Sequence, residues 1–122
     1  MINIKPDILS ALQNDSGLFS LLGNTAIYQL KAPSAREFPR ITFYEYSNIG
    51  LLYADDTETE SEISVQIDVF CMNGATTAIS IAVDRIMKSI GFFRISSNDL
   101  YEDLDDLQIY HKAMRYSIIK EC

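Results

Sequence analysis

"YADDTETESEISVQIDVF", residues 53–70, joins two unlike halves, and the second decides the fold. Ile63, Val65, Ile67 and Val69 alternate there with Ser64, Gln66 and Asp68. A period of two marks a strand with one face buried and the other turned outward. Cys71 extends the inner set and Glu62 the outer one. The first half carries Asp55, Asp56, Glu58, Glu60 and Glu62 with little that is apolar. Residues 49–60 are therefore predicted as an exposed, mobile acidic loop leading into a core strand.

On the N-terminal side, "RITFYEYSNI" (40–49) is rich in β-branched and aromatic residues and reads as a second strand. "AIYQL" (26–30) is a short strand before it. "KAPSAREFP" (31–39) is a loop with two prolines, and Pro39 fixes how the chain joins the next strand. The stretch "IKPDILSALQNDSGLFSLLG" (4–23) reads as helix, with Pro6 and Asp7 suited to its first turn. Ile8, Leu9 and Leu12 make one face, and Phe19 and Leu22 continue it by spacing. "NDSG" interrupts the helix, Ser16 is a cap for a short second piece, and Gly23 ends it.

On the C-terminal side, "NGATTAISIAVDRIMKSIG" (73–91) is the clearest helix. Ala75, Ala78, Ile79, Ala82, Val83, Ile86, Met87 and Ile90 form its apolar stripe. "FFRIS" (92–96) is a short strand, "SNDLYEDLDD" (97–106) a second acidic connection, and "LQIYHKAMRYSII" (107–119) a long last strand. Tyr110, Met114, Tyr116 and Ile118 occupy one side of it, Ile109 and Ala113 the other. The order α-β-β-β-α-β-β predicts an α+β fold: one mainly antiparallel sheet of about five strands with helices packed on one face. The first three strands are expected as an antiparallel meander and the last two as a hairpin.

A length of 122 residues suits one domain with a two-layer core, and 48% hydrophobic residues argues against disorder. A net charge of -7 excludes non-specific wrapping of nucleic acid, yet lets a duplex pass nearby without sticking. Cys71 and Cys122 stand in no metal or redox spacing, so reduced thiols in the cytosol are expected. "MINIKPDIL" lacks the pattern of an export signal, and no apolar run reaches the ~20 residues of a membrane helix.

Five carboxylates between Asp55 and Glu62 suggest calcium or magnesium, since hard cations take oxygen ligands. The spacing argues otherwise, because "DDTETESE" has no Gly for the sharp turn of a calcium loop. A row of like charges repels itself unless it is solvated or faces a partner. Asp99, Glu102, Asp103, Asp105 and Asp106 form a second cluster, anchored by Leu100, Leu104 and Leu107. An acid/base pair there would need a pocket that nothing nearby supplies. His111, the only histidine, reads as structural rather than as a base for Cys71. Lys31, Arg36 and Arg40 make a basic loop in an acidic chain. That loop and the acidic arm of Asp55, Asp56, Glu58 and Glu60 are unlike patches suited to head-to-tail subunit contacts. Tyr44, Tyr46 and Phe70, on strand positions opposite the core, also suggest a partner surface.

Taken together, "LFSLLGNTAIY", "EFPRITFYE", "ETESEISVQIDVFC", "ATTAISIAVDRIMKSI" and "HKAMRYSII" resemble the small tail-completion, or tail-terminator, proteins of long-tailed bacteriophages and prophages. The resemblance runs from about Leu9 to Ile119 and rests on order and short blocks. Leu22-Gly23, Ile27-Tyr28, Phe38-Pro39, Val65, Ile67, Val69 and Phe70 match it, mostly as fold residues. It implies a non-enzymatic virion protein, made in the host cytoplasm and placed in the tail or neck, that needs no cofactor. Such proteins form a ring, commonly hexameric, that caps the head-proximal end of the tail tube and meets the head connector while DNA passes through. The alternatives are another neck or connector adaptor, a carboxylate metal-dependent hydrolase, or a monomeric binding domain.

Overall fold

Pro6 and Asp7 open the first helix, α1 (Lys5–Gln13), which buries Ile8 and Leu12 one turn apart. A second helix, α2 (Ser16–Leu22), is capped by Asp15, whose carboxylate accepts the Leu18 N–H at 2.9 Å. The cap is thus one residue earlier than the expected Ser16. Gly23 ends α2 at φ 68, a conformation that favours glycine. Leu18 and Leu22 are buried, whereas Phe19 points to solvent at 51% exposure. The break at 14–15 restarts the helical phase, so spacing counted through it misplaced Phe19.

The computed structural model describes residues 1–34, 36–72 and 74–121. Cys122, expected as a reduced thiol, and Asn73, expected to start the long helix, lie outside the described residues. Among them run strands β1 (Ile27–Gln29), β2 (Arg40–Ala54) and β3 (Thr57–Cys71), helix α3 (Thr76–Ser89), and strands β4 (Phe93–Leu104) and β5 (Leu107–Glu121). The sheet order is β1-β2-β3-β5-β4. An α+β fold with one mostly antiparallel sheet is therefore present, with two differences from the expected layout. β1 pairs with β2 in parallel, not as the start of a meander. The 30–39 stretch is long enough to carry the chain back to the same end of the sheet, which a parallel pair requires and a tight hairpin does not. The last strand also inserts between β3 and β4, so β3 and β4 run parallel with α3 crossing between them.

The larger correction concerns the acidic segments. Residues 49–60, expected as a loop, are the outer parts of β2 and β3 around a two-residue turn. Residues 97–106, expected as a connection, are mostly strand as well, in β4. Asp55 and Asp56 take positive φ of 51 and 63, the geometry of a tight hairpin turn, and Asp105 takes 55. Aspartate tolerates the left-handed region better than most residues, so it can turn a hairpin without glycine.

The helices cover the sheet face that carries Ile41, Phe43, Ile63, Val65, Ile67, Val69, Met114, Tyr116 and Ile118, all buried. Each such side chain contributes roughly 1.5–3 kcal/mol by leaving water. α3 answers with Ile79, Ala82, Val83, Ile86 and Met87. Its first turn departs from the expected stripe: Ala75 and Ala78 are exposed and Ser80 is buried. α3 is joined to the sheet by Asp84, which accepts from the Tyr116 hydroxyl at 2.8 Å and pairs with Lys88 and Arg94. Burial opposes ionisation of Asp84, but these donors outweigh it and hold its pKa below the usual carboxylate value.

Candidate functional site

The two hairpins leave the sheet at opposite ends, because β3 and β5 are antiparallel with Glu60 beside Glu121 and Cys71 beside Tyr110. The β2–β3 arm therefore projects from one end and the β4–β5 hairpin from the other. On the arm, Leu52 lies across from Glu60 and Tyr53 across from Glu58, with Asp55 and Asp56 at the tip. Ile49, Leu51, Leu52 and Tyr53 are all exposed, between 41% and 64%. Glu58 accepts a hydrogen bond from Ser61 and lies 3.8 Å from the N-terminal amine. Tyr53 folds back over Gly50, where an added side chain would collide with its hydroxyl. Among the described residues, no three His, Cys, Asp or Glu side chains gather as metal ligands would.

The basic loop is divided. Lys31 is exposed. Arg36 reaches the tip of the other hairpin, 2.9 Å from Asp105 and 3.9 Å from Asp106. Arg40 is 8% exposed, its guanidinium 4.7 Å from the Phe38 ring centre and 4.1 Å from that of Phe70. Burial pulls the pKa of Arg40 below its ordinary value, with Glu102 and Glu37 acting the other way. The structure thus separates Arg36 and Arg40 from Asp55, Asp56, Glu58 and Glu60 within one chain. It gives both arginines partners of their own.

The helix-free face carries a ladder that the sequence did not reveal. Tyr46, the extra residue of a bulge in β2, stacks under Arg115 at 4.7 Å. Arg115 donates to Gln66 at 3.0 Å, Gln66 donates to Asp68 at 2.9 Å, and His111 Nε2 lies 2.7 Å from Asp68. His111 in turn stacks on Phe70 at 4.2 Å. Each member sits in an outward position of β2, β3 or β5, so only the strand register could have brought them together. His111 and Cys71 face opposite sides of the sheet, since Phe70 is the register partner of His111 and Tyr110 that of Cys71. Cys71 is buried, and burial pushes its thiol up to about 11. An imidazole and a thiol so placed do not form a nucleophile–base pair.

A groove of about 290 Å³ lies between α3 and strands β4 and β5. It is lined by Ser80, Ile81 and Asp84 from the helix, and by Arg94, Ser97 and Lys112 from the strands. Among the described residues no helix is long and apolar enough to cross a membrane. The surface therefore offers protruding arms, open strand edges and a mixed-charge groove, which are features for binding other surfaces.

No protein-family model matches the chain, and no curated protein matches it. A solved structure does match, a chain described as "Virion of native gene transfer agent (GTA) particle". The likeness has a TM-score of 0.58 at 13% identity and covers 93% of this chain and 92% of that one. At that identity it is a likeness of fold over nearly the whole of both chains.

Proposed function

We propose that this chain is a structural protein of a phage-like particle that caps the head-proximal end of the tail tube and joins it to the head connector. The observation that carries the reading is the end-to-end likeness of fold to a chain of a gene transfer agent virion. The sequence blocks that resemble tail-terminator proteins point the same way. The protein acts as a ring, hexameric when assembled, and stays in the tail or neck of the particle. Each subunit presents one patch to the next through a rotational contact, and closure limits growth. Acidic side chains along the lumen let DNA pass without holding it, because like charges keep a duplex from sticking. Chemistry is not part of this role, and neither a cofactor nor a metal is required by it.

The test is to grow tail tubes from the matching tube protein with and without this chain, labelled for electron microscopy. Label at one end only, with tubes that stop growing there, is the expected result. Label on heads and none on tubes would replace capping by a connector adaptor. Label on neither would remove the reading.

A further inference from the structure

We propose that the β2–β3 arm of one subunit seats in the α3–β4 groove of the next copy, so that this groove, not the basic loop, receives the acidic arm. The inference names the contact within the ring proposed above and rests on that reading for its biological setting. Four observations carry it.

The groove holds an unmet polar group. Ser80 is 5% exposed and lines the groove, and its hydroxyl has no hydrogen-bond partner among the described residues. A buried hydroxyl of this kind is costly unless something donates to it or accepts from it. Charge is complementary as well. Arg94, Lys112 and the neighbouring Lys88 share Asp84 and Asp99, three cations to two carboxylates on a chain of net charge -7. The arm supplies Asp55, Asp56, Glu58 and Glu60.

Apolar surface is exposed on both sides. Ile81 at the groove is 66% exposed, matched by Leu51, Leu52 and Tyr53 on the arm. Backbone groups are unmet on both sides too. β4 is an edge strand that pairs only with β5, and β1 pairs with β2 only at residues 41–43, which leaves the outer edge of the arm open. The 93–104 stretch has no proline and no lysine, the residues that commonly blunt an edge against pairing.

The arm leaves the sheet at the Glu60–Glu121 end, whereas the groove lies farther along β5 at Lys112 and Met114, which pair with Val69 and Ile67 of β3. The two surfaces cannot meet within a chain. A contact between unlike patches on two copies is head-to-tail and leaves a free arm and a free groove at each end until a ring closes. The basic loop is the weaker receiver because Arg40 lies buried between Phe38 and Phe70 and Arg36 is held by two carboxylates, Asp105 and Asp106, whereas three groove cations share two.

The experiment mixes isotopically heavy and light full-length chain, concentrated alone and in assembled particles, and applies a carbodiimide that joins carboxylates to lysines. Heavy–light cross-links from the 53–60 peptide to Lys88 or Lys112 are expected. Asp55→Asn with Asp56→Asn, which keeps a residue tolerant of positive φ, should lower the remaining Glu58 and Glu60 cross-links at least tenfold. Ile81→Glu, on an exposed helix position, should do the same, with thermal unfolding of both variants unchanged. Absence of arm-to-groove cross-links in both samples overturns the proposal, as do links from the arm to Lys31 or to a different protein. Loss of tube capping with the cross-links intact would instead count against the function alone.

Discussion

The two hairpins share an Asp-Asp turn sequence and differ in what holds it. Both reverse at an aspartate pair without glycine, at Asp55-Asp56 and at Asp105-Asp106. The β4–β5 tip is clasped by Arg36 from the 31–39 loop. At the β2–β3 tip, no ion pair reaches Asp55 or Asp56 among the described residues, and Glu58 meets the N-terminal amine and the Ser61 hydroxyl. Turn chemistry alone therefore does not decide whether a hairpin is part of the body or an arm. The difference among the described residues is one half-exposed arginine, which ties one acidic tip to its own 31–39 loop and has no counterpart at the other.

The largest expected effect comes from the strand on which both hairpins depend. Ile67 is fully buried and lies between Phe43 on β2 and Met114 on β5. Ile67→Ala should cost about 2–5 kcal/mol and lower both hairpins together in thermal or denaturant unfolding. Loss of only one hairpin would break the view that they share a core.

Next in size is the thiol at the base of the clasped hairpin. With Cys71 pushed up to about 11 by burial, its native alkylation at mildly alkaline pH should be about a hundredfold slower than that of an ordinary thiol. Mass mapping of the Cys71 peptide reads this directly. Fast alkylation would show that the β3–β5 end opens and that the clasp does not close it.

Asp15 joins the layer beneath both hairpins. It caps α2 and makes two 2.9 Å hydrogen bonds with Arg85 of α3. The Arg85 hydrogen bond, then that of the Leu18 N–H, holds its pKa at about 2. A depressed carboxylate stabilises the fold above its unfolded value of 3.8, and that contribution fades as pH falls from there through about 2. Asp15→Ala should cost about 1 kcal/mol at neutral pH, and much less at pH 2. An equal cost at both pH values would contradict the assignment.

The smallest effect separates the hairpins. Arg36 is half-exposed, so Arg36→Ala should cost only about 0.2–1 kcal/mol. Hydrogen exchange should nonetheless rise at residues 103–108 and stay unchanged at 53–58. Equal changes at both tips would erase the distinction between them.

Much of the core was readable because burial imposes a period. The alternation from Ile63 to Val69 and the Ile79–Met87 stripe of α3 report faces that pack against something. Residues 51–57 of the arm are exposed on both faces, so its strands show no alternation, and acidic residues weaken the strand signal further. An Asp-Asp turn also lacks the Asn-Gly or Asp-Gly signature by which a hairpin is usually found. Arg36 and Arg40 stood out by charge, but only the path of the 31–39 loop shows that they contact Asp105, Phe38 and Phe70. The ladder from Tyr46 to Phe70 depends on register and on a bulge, neither of which composition encodes. Ser80 is absent from the apolar stripe of α3, and only its burial makes it part of a site.

The most direct test of the central claim is the distribution of tail lengths, by electron microscopy, in particles assembled without this protein. The account predicts overlong tails and tails detached from heads. Tails of normal length on intact, filled heads would contradict it.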